Sequence, residues 1–234
     1  MFSDAQKIAY VAQSPVLCGK HDREGWVGLF ARDAQVNDPI GSRPHEGHAA
    51  IRRFYDTFIA PNALSFDVEK DLVGGVGNMT VVRDLHINTV MSTGVHISVP
   101  MHIRYALCVE DGALLIHRLY AHWELDVMLR QQRSTLKGLW TSVLLTPRML
   151  KYQGIGGVMG FMEGLKGVGD VGKRTAHAHL ASCADLAGWT PGKTLAAGNW
   201  VSMTVRHGAQ RGVVVCRFDE GPDLVSAMET YFER

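Results

Sequence analysis

Asp38 is the carboxylate whose neighbours best suit it to moving protons. It closes the run Ala34-Gln35-Val36-Asn37-Asp38 and is followed by Pro39 and Gly41. Pro39 removes a backbone donor and fixes the chain direction, and Gly41 permits the turn that follows. Trp26, Val27, Phe30, Ile51, Phe54 and Tyr55 stand around it in sequence. A carboxyl held among such side chains loses hydration, so its charged form is disfavoured and its pKa rises. It then accepts and returns a proton near neutrality. The competing reading is an Asx turn solvated at the surface.

Other groupings carry less chemistry. Asp84 and His86 alternate onto one strand face, with His96 and His102 on the next strand. Histidines scattered over an antiparallel sheet more often face solvent than bind metal, and no metal site is expected. Residues 167–172 spell G-V-G-D-V-G, the letters of a dinucleotide fingerprint, but no strand precedes them. Residues 187–194 look like a loosened phosphate loop, yet they run from helix into strand with Pro191 in the cradle. Neither is read as a nucleotide site. Met159 and Met162 with Phe161 suit either a lid over an apolar pocket or plain core.

The elements that must position these residues follow from periodicity. Residues 5–18 have helical spacing interrupted by Pro15, and Asp22 can cap a second helix through Trp26, Val27, Leu29 and Phe30. A short strand covers 34–38. A third helix is expected over 47–60, opening at Gly47, with Ile51, Phe54, Tyr55 and Phe58 on one face. The period then changes to two. Phe66, Val68, Val81, Arg83, Leu85, Ile87 and Thr89 alternate, a turn falls at 92–94, and strands follow over 95–109 and 114–125. Helices followed by a curled antiparallel sheet define the α+β class.

A second half starts near Arg130, dividing the chain into 1–129 and 130–234. Residues 136–151 and 174–187 read as helices. Between them, 154–172 hold eight glycines, each costing a helix interior roughly 1 kcal/mol relative to alanine. That segment reads as a mobile or tightly packed insert. Strands are expected over 193–197, 199–206, 212–218 and 224–232. The hairpin letters of 107–112 recur at 215–221, and each is followed by a strand ending in an aromatic and a glutamate, Trp123-Glu124 and Phe232-Glu233. This suggests a tandem repeat with a diverged second copy.

Length and composition set bounds. With 234 residues and 46% hydrophobic content the chain can bury a real core. Its 24 basic and 23 acidic residues leave +1, so no charge footprint points to nucleic acid or an anionic membrane. A neutral small molecule is the expected partner. No apolar run reaches the length of a membrane span, and residues 1–12 do not read as a signal peptide. Cys18, Cys108, Cys183 and Cys216 form no C-x-x-C pair, which fits small hydrophobes in a reducing cytoplasm.

The run 34–41, followed by Gly47, Ile51, Phe54 and Tyr55, resembles the ketosteroid isomerase-like (SnoaL-like) family of the NTF2-like superfamily. His21-Asp22-Arg23-Glu24-Gly25-Trp26 and Ala121-His122-Trp123-Glu124-Leu125 fit the same family. The resemblance covers residues 5–128. It implies a cone of helices on a curved sheet around an apolar ligand-binding pocket, with no cofactor. It also implies that Asp38 is the base of an allylic proton transfer in a steroid, as in the handling of such substrates by one Asp base and hydrogen-bonding oxyanion donors. Tyr55 matches a tyrosine supporting the oxyanion donor. The donor tyrosine itself falls on Ser14, with Tyr10 one helical turn earlier. The family's protonated aspartate falls on Pro100 or His102, which share one strand face, so His102 is expected to point into the cavity as a hydrogen-bond donor. Trp26, Phe54 and Trp123 complete the expected substrate-binding set.

The leading expectation is therefore a ketosteroid isomerase-like protein acting on a steroid or polycyclic ligand, with Asp38, Tyr55 and His102 as the catalytic set. Losing one oxyanion donor typically costs on the order of 10²–10³ in rate, and neither usual donor is retained. Hydratase, epoxide-hydrolase or cyclase chemistry on the same cone is one alternative. A non-catalytic ligand-binding or assembly domain is another. The second half is expected either to pair with the first as an intramolecular pseudo-dimer or to leave a homodimer.

Overall fold

In a computed structural model of the chain, residues 2–92, 94–133 and 136–233 are described. Thr93, within the expected 92–94 turn, lies outside them. Two short helices open the chain, α1 (Asp4–Val11) and α2 (Gln13–Gly19). Ser3 and Gln6 form a reciprocal capping box on α1. Pro15 falls in the first turn of α2, where a missing N–H costs nothing. Asp22 caps α3 (Arg23–Gly28) by accepting from Gly25 N at 2.8 Å.

Strand β1 (Phe30–Asn37) starts four residues earlier than the spacing predicts, because the helix expected through Phe30 stops at Gly28. Next come β2 (His45–Glu46) and α4 (Gly47–Phe54), which runs on through a π-helical turn at Tyr55–Ile59. Long strands β3 (Ala63–Gly74), β4 (Thr80–Val90), β5 (His96–Glu110) and β6 (Ala113–His122) then form an antiparallel meander. The first sheet has the order β2-β1-β6-β5-β4-β3. One departure from an all-antiparallel sheet is that β1 lies parallel to β6.

Helices α5 (Leu125–Arg133) and α6 (Leu136–Met162) follow. The expected insert at 154–172 is in fact largely helical. Helix α6 bends at Gly154 and continues to Met162, and α7 (Gly169–Ser182) begins soon after. Its glycines let backbones approach. A Cβ on Gly160 would stand 2.8 Å from the Arg43 side chain, and one on Gly167 would stand 2.4 Å from Gly198 O. Close packing offsets the helical cost of these residues. Strands β7 (Thr190–Ala197), β8 (Trp200–His207), β9 (Gln210–Arg217) and β10 (Ala227–Phe232) form a second sheet of order β10-β9-β8-β7.

The layers are helices, first sheet, second sheet and helix. Alternation along β8 and β9 shows how the middle is built. Val201, Met203, Val205, Val214 and Cys216 pack with Ala176 and Leu180 of α7. Val213 and Val215 face the other way, onto Leu72, Val82 and Tyr231 between the sheets. β9 is covered on both faces, so apolar residues can occupy both sides of it, which fits the continuous run Val213-Val214-Val215-Cys216. The largest core lies on the far side of the first sheet, under α1 to α4. Among the described residues, no helix is long and apolar enough to cross a membrane.

Candidate functional site

Strand β1 delivers Asp38 to the edge of this core, where the chain turns through a cis Asp38–Pro39 bond. Hydrogen bonds fix the turn: Ile40 N to Ala121 O at 2.8 Å, Asn37 Nδ2 to Ser42 O at 3.1 Å, and Ser42 Oγ to Pro39 O at 2.6 Å. Gly41 has φ +95°, and a Cβ there would lie 2.5 Å from Gly198 Cα. It must therefore be glycine for both conformation and space.

Asp38 lines a cavity of about 130 Å³. Phe54, Phe58 and Ile59 come from the helical side, and Leu64, Ile87, Ile97, Val99 and Met101 come from the sheet. Trp123, Met128 and Phe161 complete the walls, with Asn62 and Thr89 as further polar members. Trp123 Nε1 donates to Asp38 Oδ1 at 2.6 Å. Burial pushes the Asp38 pKa up from 3.8 to about 6, against the opposing pull of the Trp123 hydrogen bond. The group is thus poised between its two protonation states near neutrality, the condition that favours proton transfer.

Phe54 and Trp123 join Asp38 in the cavity, as expected. Tyr55 does not. On the helix Phe54 and Phe58 point inward, and Tyr55 is turned about 100° away. It is 1% exposed and packs on Trp26 at 5.7 Å. Its hydroxyl has no hydrogen-bond partner among the described residues, and burial raises its pKa to about 12. Trp26, Ser14 and Tyr10 also belong to the helical core behind the cavity wall. Trp26 Nε1 donates to Ser14 Oγ at 2.9 Å, and Tyr10 donates to Leu29 O at 3.0 Å.

His102 is on the opposite face of the sheet. Ile97, Val99 and Met101 take the cavity side of β5, so the even positions face the second sheet. There the fully buried His102 ring is 2.8 Å from Ser202 Oγ through Nδ1 and 2.9 Å from Thr204 Oγ1 through Nε2. Thr204 Oγ1 donates to Asp84 Oδ2 at 2.8 Å, and Lys193 forms an ion pair with Asp84. Burial would raise the Asp84 carboxyl, but His102 and Lys193 outweigh it and hold the group well below the usual carboxylate range. Nearby, Arg104 Nη1 donates to Glu229 at 2.7 Å and lies over the Trp200 ring. Asp84 and His102 are therefore parts of a buried seam between the sheets. His86 stands apart beside Glu69, and His96 is exposed.

Sequence reasoning missed the cavity side of β5. The signal was available: apolar residues occupy 97, 99, 101 and 103, and polar ones occupy 96, 98, 102 and 104. Met128 carried no such signal, because it lies on the helix after the sheet, and Phe161 was readable only as either lid or core. Of the possible lid residues, Phe161 stacks on Phe58 at 5.2 Å, whereas Met159 and Met162 are exposed.

The fold and pocket define a cone of helices on a curved sheet with a partly buried acid in its cavity wall. Residues 12–117 form a SnoaL-like domain. Solved structures similar to this chain include a Δ5-3-ketosteroid isomerase from Mycobacterium sp., at 31% identity and a TM-score of 0.45 over 51% of this chain and 93% of that one. Another is a Mycobacterium tuberculosis protein in complex with estradiol-17beta-hemisuccinate, at 27% identity and a TM-score of 0.46 over 51% of this chain and 95% of that one. A third is the epoxide hydrolase/cyclase-like enzyme SalBIII of salinomycin pyran-ring formation, at 18% identity and a TM-score of 0.47 over 54% and 96%.

Proposed function

We propose that the cavity binds a neutral apolar molecule of the steroid or polycyclic class, and that Asp38 is the general base of an allylic proton transfer. The observation that carries this is a lone carboxyl in an apolar cavity, hydrogen-bonded to Trp123 and raised to about 6. Asp38 takes a proton from the carbon beside a carbonyl and returns it to the far carbon of the resulting dienolate, so that a double bond migrates. Turnover of a steroid enone precursor by the protein and by Asp38→Asn tests this. A loss of roughly 10²-fold or more is expected, and unchanged turnover sinks the proposal.

A second reading, ligand binding without turnover, is favoured by one observation. The β5 wall facing Asp38 is Ile97, Val99 and Met101, none of which can donate a hydrogen bond to an oxyanion. In that case Asp38→Asn changes ligand affinity, and no isomerised product forms with either protein.

We also propose that residues 130–234 are a degenerate second copy, docked on the first as an intramolecular pseudo-dimer. Each half ends in a four-strand antiparallel meander, β3 to β6 and β7 to β10. Aligning the 107–112 and 215–221 hairpins sets β5 against β9. The second copy also supplies Phe161 to the cavity of the first. A tight homodimer in light scattering that buried the same sheet face would count against this arrangement.

A further inference from the structure

Helix α6 buries one side of its last two turns and leaves another in water. The bend at Gly154 starts a new helical face. Beyond it, Gly160 and Phe161 are held to the first half of the chain. Arg43 N donates to Gly160 O at 3.0 Å, and Phe161 stacks on Phe58 at 5.2 Å. Ile155, Met159 and Met162 stand at i, i+4 and i+7. At about 100° per residue they fall within roughly 60° of arc, on the side away from Gly160 and Phe161. They are 73%, 65% and 45% exposed. Leu150, one turn before the bend, and Leu165, just after the helix, are exposed as well. A single exposed apolar side chain is ordinary, whereas a run of them on one face marks an interaction surface.

Charge decides what this face fits. The sequence of α6 holds Lys137, Arg148 and Lys151 and no aspartate or glutamate. The helix is thus strongly basic in a chain whose net charge is only +1, and the sequence outside it is net negative. Glu163, the acid that follows the helix, is paired with Arg43 at 3.2 Å. A second copy docked face to face would set the basic helix against its own image, with like charges opposed. Nucleic acid would meet the charge but not the isoleucine and methionine side chains. A lipid surface rich in anionic headgroups meets both. Headgroups attract the cations, and the boundary with the acyl chains takes up the apolar side chains.

We infer that α6 is a peripheral membrane-docking helix whose occupant is a bilayer surface rich in anionic phospholipid. Ile155, Met159 and Met162 enter the interface. Lys151, four residues before Ile155, lies at headgroup level with its stem along the apolar boundary. The helix rests on the surface and does not cross it. Phe161 is on the same turn as Met159 and Met162, so a docked chain holds one wall of the Asp38 cavity next to the lipid.

The test is co-sedimentation of the full chain with vesicles of phosphatidylcholine mixed with phosphatidylserine, and with vesicles of phosphatidylcholine alone. Binding to the mixed vesicles is expected, and it should weaken as salt is raised. Binding to phosphatidylcholine alone should be at least about 10-fold weaker. Lys151→Ala is expected to lower affinity for the mixed vesicles roughly 5-fold, the scale of one cation near a charged surface. Ile155→Ser combined with Met159→Ser should lower it on the order of 10-fold or more, and Met159→Leu should leave it unchanged. All three side chains are exposed, and urea unfolding of each variant verifies that it folds. If the double variant does not fold, Lys151→Ala decides the matter. No sedimentation with mixed vesicles, equal binding to both kinds of vesicle, or undiminished binding by the folded variants overturns the proposal. So does a dimer of the free chain in light scattering that the double variant dissociates, which would make a second copy the occupant.

Discussion

Trp123 Nε1 donates a 2.6 Å hydrogen bond to Asp38 Oδ1 at the edge of the cavity. This bond favours the ionised carboxylate, while burial disfavours it. The balance between them sets the protonation state of the acid near neutral pH. Trp123→Phe removes the bond and keeps most of the apolar wall. The Asp38 pKa is then expected to rise above about 6, read by carboxyl-carbon NMR titration. An unchanged titration would mean that the hydrogen bond does not tune the acid.

Asp38 should also leave a mark on stability. Its folded pKa is raised from 3.8 to about 6, so the folded chain holds a proton in this window that the unfolded chain releases. Stability is therefore lost as pH rises from about 4 through 6. Asp38→Asn lacks this dependence. Above pH 6 the variant is expected to gain on the order of 2 kcal/mol over the parent, with the difference fading towards pH 4. Urea unfolding of both proteins across that range checks the sign.

Three histidines, His102 and His122 fully buried and His45 partly so, act in the opposite direction. Burial lowers His45 from 6.5 to about 4, and it lowers His102 and His122 as well. Between about pH 6.5 and 4 the unfolded chain binds protons that the folded chain refuses, so stability falls as pH falls. His122 is the simplest to isolate. It is fully buried, and neither ring nitrogen has a hydrogen-bond partner among the described residues. It stands edge-on to Trp200, with centroids 6.2 Å apart. His122→Leu is expected to raise stability at pH 5 by about 1 kcal/mol and to flatten the acid limb of the stability curve. A loss of stability at pH 5 would show that the ring is needed where it stands.

The Lys193–Asp84 pair pins the second sheet to the first. Asp84 is 3% exposed at its side chain and Lys193 is 16% exposed. Lys193→Met would leave a buried carboxylate without its cation, at a cost of about 3–5 kcal/mol. Asp84→Asn combined with Lys193→Met should recover most of that loss. Chemical denaturation of the two single variants and the double variant forms the cycle, and simple additivity would argue against direct coupling.

Much of this architecture was legible from residue order. Asp22 marks a helix start through a local hydrogen bond from Gly25 N that needs no tertiary partner. The alternation through 81–89 marks β4 because side chains leave a strand on alternate sides. The strand-turn frame of Asp38 was readable in the same way. The helix through 154–162 was not, because isolated glycines disfavour a helix and only packing against Arg43 offsets that cost.

Residue order alone determined which side chains share a face: His102 with Pro100, Met101 with Val99, Phe54 with Phe58. It also placed an acid at a strand end next to an apolar helix. What lies against each face was a tertiary decision. Both faces of β5 are covered, one by the helical core and one by the second sheet, so burial on its own does not tell the cavity side from the seam side. Docking of the second sheet carried His102 to Ser202 and Thr204 and left Met101 with Asp38. Phe161 reached the cavity only because α6 folds back over it, a long-range contact that no local periodicity encodes.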